Sequence, residues 1–175
     1  MSRSTTFGWL KNHPILSSAL LILLFSLTTN TFSQPQYYNY NTNGTNNSFP
    51  LGIAAGKNAQ WLLLAGDLAS PTPAPAGNIT KFWFRVGDTY PINATYTTFE
   101  IKLGQASITA LPTGSYYTPM TTVFARASFP LVAAGGTWVE LTLDTPFPYN
   151  PAQALIVEMG HCAGSGATGF PMCTT

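Results

Sequence analysis

Three glutamates, Glu100, Glu140 and Glu158, sit in short β-prone segments at positions where polar and apolar residues alternate. Glycoside cleavage needs two carboxylates about 5–10 Å apart across a groove, a spacing that acids on neighbouring strands of one sheet would meet. No run of closely spaced acids along a single strand reinforces that chemistry. Acids on the polar side of a sheet are ordinarily solvated, and that is the expectation for these three. Nucleophilic chemistry has less to build on. A Ser-His-Asp arrangement needs a histidine base, and past the N-terminal segment only His161 is present. No Gly-x-Ser-x-Gly elbow leads into a helix. Cys162 adjoins His161, but neighbours on a strand point to opposite faces and cannot share a proton. The glycine-rich run 163–169 lacks the Gly-Lys-Ser/Thr ending of a phosphate cradle.

Metal chemistry is equally thin. Zinc would need four ligands at regular spacings, which one histidine and two cysteines do not supply. Calcium takes oxygen ligands; Asp67, Asp88 and Asp144 fall at strand ends and are weak candidates, with no Asp-x-Asp-x-Asp loop to join them. No cofactor is expected. Binding is better supported. Trp83 stands between Lys81 and Arg85 on the side of its strand away from the core, where an indole can stack on a sugar or anchor a protein. Tyr116, Tyr117 and the Tyr37-Tyr38-Asn39-Tyr40 cluster would extend such a platform. The competing expectation is that Trp83 packs under a loop or terminal segment, as Trp61 and Trp138 are expected to pack.

The elements that must position these residues read as strands. No stretch beyond the N-terminal segment shows a helical stripe, and 14 prolines and 15 glycines punctuate segments rich in β-branched and aromatic residues. Strands are expected over 60–65, 80–87, 97–105, 121–128, 137–143 and 154–159, with an earlier one within 36–51. Alternation assigns their faces. Phe82, Phe84 and Val86 oppose Lys81, Trp83 and Arg85; Phe99, Ile101 and Leu103 oppose Thr98, Glu100 and Lys102. Val139, Leu141 and Leu143 oppose Trp138, Glu140 and Thr142; Leu155, Val157 and Met159 oppose Ile156 and Glu158. One apolar and one polar face per strand is the pattern of antiparallel sheets packed face to face. The expected fold is an all-β antiparallel sandwich with jelly-roll-like connections, a closed barrel being the competing topology. The Pro-rich piece Ser70-Pro-Thr-Pro-Ala-Pro-Ala-Gly77 would be stiff and extended, and it reads as a long loop inside the domain, because too little chain precedes it for a separate one.

The first 33 residues place this domain outside the cytoplasm. Arg3 and Lys11 supply positive charge, the run from Ile15 to Leu27 is apolar and uncharged, and Thr31-Phe32-Ser33 offers small residues for cleavage before Gln34. The apolar run falls short of the ~20 residues that cross a bilayer, so a signal-peptide helix is expected, with no membrane contact after cleavage. About 142 residues remain, one domain with room for a core. They carry Lys57, Lys81, Arg85, Lys102 and Arg126 against six acids. That balance would not neutralise a run of phosphates, and nucleic acid is excluded as a partner. In an oxidising compartment Cys162 and Cys173 would bridge, closing a loop of about a dozen residues, worth about 3 kcal/mol if entropic.

Several segments resemble a module recurrent in secreted bacterial surface proteins of the type IX secretion kind. They are Asn47-Ser-Phe-Pro-Leu-Gly52, Gln60-Trp-Leu-Leu-Leu64, Phe99-Glu-Ile-Lys-Leu-Gly-Gln105 and Met120-Thr-Thr-Val123. Trp138-Val-Glu-Leu-Thr-Leu-Asp-Thr-Pro-Phe-Pro-Tyr149 and Leu155-Ile-Val-Glu-Met159 complete the set. The resemblance implies a jelly-roll-like sandwich with no assigned activity and no catalytic residues to carry over. The usual C-terminal sorting domain does not follow, so the chain reads either as the N-terminal piece of a longer surface protein or as one exported on its signal alone. Taken together, residues and resemblance predict a secreted, non-catalytic surface or accessory module, structural or adhesive, whose partner is an extracellular protein. A carbohydrate-binding module that holds polysaccharide on exposed aromatics is the alternative.

Overall fold

The computed structural model describes residues 35–39, 46–47, 50–52, 54–87, 91–165 and 172–173, all within the unit Phe32–Thr175. The expected signal helix and its cleavage site, and Asp88, lie outside the described residues. Those described form an all-β structure of eight strands without a helix. They are β1 (Asn46–Asn47), β2 (Ala55–Leu63), β3 (Gly77–Arg85), β4 (Ile92–Ala106), β5 (Thr121–Ala133), β6 (Trp138–Tyr149), β7 (Ala154–Ser165) and β8 (Met172–Cys173). One sheet runs β2-β7-β4-β5, a second is β3-β6, and β1 pairs with β8; every pairing is antiparallel. β5 also packs alongside β6.

Each expected strand is present, and three run on past a residue that reads as a breaker. β4 begins five residues before the expected start. Its buried positions are Ile92, Ala94 and Tyr96, then Phe99, Ile101 and Leu103, so the alternation slips by one residue. The slip is at Thr98, which has φ 51°; the register with β5 is the same on either side of it, Thr97 facing Ser128 and Phe99 facing Arg126, so no residue is inserted. The left-handed backbone at this one residue changes the phase of the alternation without changing the register, and both halves of β4 face the core. β5 continues through Pro130, whose missing N–H is tolerable on an edge strand. β6 continues through Asp144-Thr-Pro146, which bulges between the paired positions Thr142 and Phe147. The bulge sends Asp144 sideways, where Oδ2 accepts from Ala125 N–H at 3.0 Å and from Arg126 Nη1 at 2.7 Å. A carboxylate thereby covers part of the open edge of β5.

The core draws on both sheets. Phe99, Ile101, Leu103, Val157 and Met159 from the larger sheet join Phe84, Leu141 and Leu143 from the smaller one in a single apolar cluster. Phe99 is fully buried, stacks on Phe129 at 4.6 Å between ring centres, and meets Phe124 edge-on at 6.0 Å. Full burial of one such ring contributes about 1.5–3 kcal/mol.

Candidate functional site

Register builds the main polar cluster. Gln60 of β2 lies opposite Glu158 of β7, and Glu158 lies opposite Lys102 of β4, so three outward side chains form one row across three strands. Gln60 Nε2 donates to Glu158 Oε2 at 2.6 Å, and Lys102 Nζ donates to Oε1 at 3.0 Å. Lys102 also reaches Glu100 at 3.4 Å. Although Glu158 faces outward, only 6% of it is exposed. The covering layer is the 107–120 loop, which is clamped by the row's own amide: Tyr117 N–H donates to Gln60 Oε1 at 2.7 Å, and Gln60 Nε2 donates to Tyr117 C=O at 3.1 Å. Tyr116 adds a bond from its hydroxyl to Asn58 C=O at 2.7 Å. Beneath the loop the strands carry Gly104 and Gly160. A Cβ on Gly104 would come 2.7 Å from Met120 Sδ, and one on Gly160 would overlap Asn58 Oδ1. Gly104 is what lets the loop approach the sheet this closely, and Gly160 leaves room for the Asn58 side chain of the neighbouring strand.

The electrostatics follow from this enclosure. Burial pushes the Glu158 carboxyl up, but hydrogen bonds from Asn58, Gln60 and Lys102, with the Lys102 charge, outweigh it and hold the group below the usual carboxylate range. Lys102 is held above its ordinary value chiefly by its bond to Glu158. A buried ion pair gains little net stability, and its best-attested use is to fix one arrangement. Here the arrangement fixed is that of a surface loop with no charged residue from 107 to 120.

Lys81, Trp83 and Arg85 occupy the other sheet, on its outward side. Lys81 Nζ pairs with Glu140 at 2.6 Å and lies 5.7 Å from the Trp83 ring centre. Trp83 is half-buried, and its indole N–H is sealed from water without a partner among the described residues. Tyr38 packs on Trp138 nearby at 5.9 Å. Tyr116 and Tyr117 stand over the β2-β7-β4 sheet, so the structure brings the aromatic candidates together as two groups on two sheets rather than as one platform.

The two weak calcium candidates among the described residues are each engaged elsewhere. Asp67 caps a turn, its Oδ2 accepting from Leu64 N–H at 2.7 Å, and Asp144 is held by Arg126. No group of three potential metal ligands occurs among the described residues. Glu100 and Glu158 do share a sheet face, but Lys102 lies between them and a loop lies over them, so they flank no groove. His161 and Cys162 point opposite ways. His161 is buried, its Nε2–H donating to Pro50 C=O at 2.9 Å and its ring 4.8 Å from that of Tyr96, while Cys162 is exposed and free. Tyr96 is itself buried, donating to Leu51 C=O at 2.7 Å, and burial pushes its hydroxyl up to about 12. No disulfide forms among the described residues, and the Cys173 side chain lies outside them.

A cleft of about 430 Å³ is lined by β2, by β7, by both inward and outward side chains of β3, and by Tyr37, Tyr38 and Trp138. Trp61, Leu63, Phe82, Phe84, Val157 and Met159 line it, and Tyr37 closes one side. Tyr37 belongs to a short arm tied to Ser70 by the Tyr38 backbone in both directions, at 2.9 and 3.2 Å. The sequence had marked Phe82, Phe84, Val157 and Met159 as core-facing and Trp61 as packed, and had put Tyr37 on the exposed platform. It gave no sign that the core would be incomplete on this side, nor that Gln60 would be the loop's clamp; the signal available for the latter was an isolated amide beside Trp61 in line with two charged strand positions. No protein-family profile, curated protein or solved structure matches this chain.

Proposed function

We infer that the chain is a secreted, non-catalytic surface module of structural or adhesive role, built as a two-layer sandwich of jelly-roll-like connectivity. The strand orders β2-β7-β4 and β3-β6, feeding one core from both sheets, support that architecture. Its resemblance to modules of type IX-secreted surface proteins and its signal-like N-terminus support the location. The observation that carries the functional reading is the clamped loop. A buried carboxylate, an ammonium and an amide act together to hold a charge-free surface loop whose Tyr116 is 51% exposed. Tyr, Ser, Thr, Gly and Pro in a pre-ordered loop suit contact with a protein surface, because little entropy remains to be lost on binding. Glu100, Glu140, Glu158 and Asp144 are each paired with a cation, which suits cross-strand stitching better than acid–base work.

The test is a two-part assay on the exported protein. Incubation with soluble polysaccharides and ester substrates is expected to release no product, and beads coated with the protein are expected to adhere to the surface of the producing cells. Saturable turnover of any substrate overturns the reading. The carbohydrate alternative has one observation in its favour, the Lys81–Trp83–Glu140 group on the outward side of β3-β6. A glycan-induced shift of tryptophan fluorescence that disappears in Trp83→Ala would put that reading first.

A further inference from the structure

The inner faces of the two sheets are filled unevenly. On β4 the core-facing Phe99, Ile101 and Leu103 are at most 1% exposed. On β2 and β3 the corresponding Trp61, Leu63, Ile79 and Phe82 are only partly buried, and the 430 Å³ cleft separates them. Close packing is the rule inside proteins, and large inward-facing side chains left half wet cost free energy that a guest of the right chemistry would recover. The volume falls within the range of small-molecule sites. An engineered apolar cavity of about 150 Å³ already accepts benzene, and this cleft is nearly three times that size.

We propose that this cleft is a binding site for an uncharged, largely apolar small molecule, of the size of a fused aromatic system or a medium-length acyl group. Charge decides the class. No carboxylate lines the cleft among the described residues. The two cations of its lining, Lys81 and Arg85, belong to the outward side of β3, Lys81 is paired with Glu140, and Arg85 is also engaged. An ionic guest would therefore lose hydration without gaining a counter-charge. A neutral one gains contact with Trp61, Phe82 and the adaptable side chain of Met159. The site does not depend on the clamped loop, which lies on the other side of the β2-β7-β4 sheet.

The test titrates the exported protein with the neutral dye N-phenyl-1-naphthylamine, reading dye emission excited through tryptophan. The expected result is saturation at one dye per chain. Affinity should fall at least tenfold in Ala74→Phe and in Leu63→Trp, which fill the cleft, and stay unchanged in Val132→Thr at the exposed surface of β5. Two filling variants are used so that one failing to fold leaves the other. Absence of saturable binding to protein folded by circular dichroism overturns the proposal, as does binding that survives both filling variants. A concentration-dependent rise in mass that the filling variants abolish also overturns it, since a second copy would then be the occupant.

Discussion

Replacing Glu158 by Gln removes one charge from the buried row and leaves its shape nearly intact. Breaking a fully buried ion pair by deleting one partner costs about 3–5 kcal/mol. Two features reduce that figure here: the Lys102 side chain is 30% exposed, and it retains Glu100 at 3.4 Å. The new amide can still accept from Gln60. The expected loss is about 1–2 kcal/mol at pH 7, equivalent to a fall in Tm of about 2–8 °C for a domain of this size. The pH dependence separates a charge effect from a packing effect. Hydrogen bonds and Lys102 hold the folded Glu158 below its unfolded value, which is about 4.3. A group with a depressed folded pKa stabilises above its unfolded pKa and loses that contribution as pH falls through the folded one. The gap between the two proteins should therefore be level from pH 8 to about 5.5 and close progressively below about pH 4. Thermal unfolding followed by far-ultraviolet circular dichroism across this range is the assay. A gap as large at pH 3.5 as at pH 7, or a Glu158→Gln protein at least as stable as wild type at pH 7, refutes the electrostatic account.

Other substitutions probe other parts of the structure. Phe99→Ala, at the centre of the aromatic cluster, should cost about 3–5 kcal/mol, seen as a lower urea midpoint at unchanged slope. Gly160→Ala should cost about 1–3 kcal/mol through overpacking, because the new methyl meets Asn58 Oδ1 and the backbone oxygen of Lys57. Thr98→Gly should leave the fold intact and raise stability by up to about 1 kcal/mol, since a left-handed φ costs a side-chain-bearing residue about 1–2 kcal/mol and glycine's entropy returns part of that. Thr98→Val should bring no such gain in the same chemical unfolding measurement.

The all-β class and the inward faces of β3, β6, β7 and the second half of β4 were legible because period-two alternation survives in single strands such as 82–86 and 99–103. Strand ends were not, for a shared reason. Pro130, Asp144-Thr-Pro146 and Gly160 have local preferences that argue for turns, and each is tolerated by its place in the sheet, respectively at an edge, in a bulge and against a neighbouring side chain. The pattern Ile92-x-Ala94-x-Tyr96-x-x-Phe99 held the phase change of β4 in plain form, two exposed residues between two runs of alternation. The candidate site was harder to read. Glu158 was correctly placed on the polar face, but its burial depends on a loop 40 residues earlier in the chain, and only the register reveals that Gln60, Glu158 and Lys102 form one row. Trp83 was likewise assigned its side of β3 correctly, while the separation of Tyr116 and Tyr117 from it is a fact of strand order that no local pattern encodes.

The most direct test of the account compares adhesion of beads coated with the protein, its Tyr116→Ala variant and its Gln60→Leu variant to producing cells. The first variant removes the exposed contact and the second releases the clamp beneath it. If the ordered loop is the adhesive surface, both variants lose at least tenfold in bound beads while remaining folded by circular dichroism. Undiminished adhesion by both, or no adhesion by wild type, contradicts it.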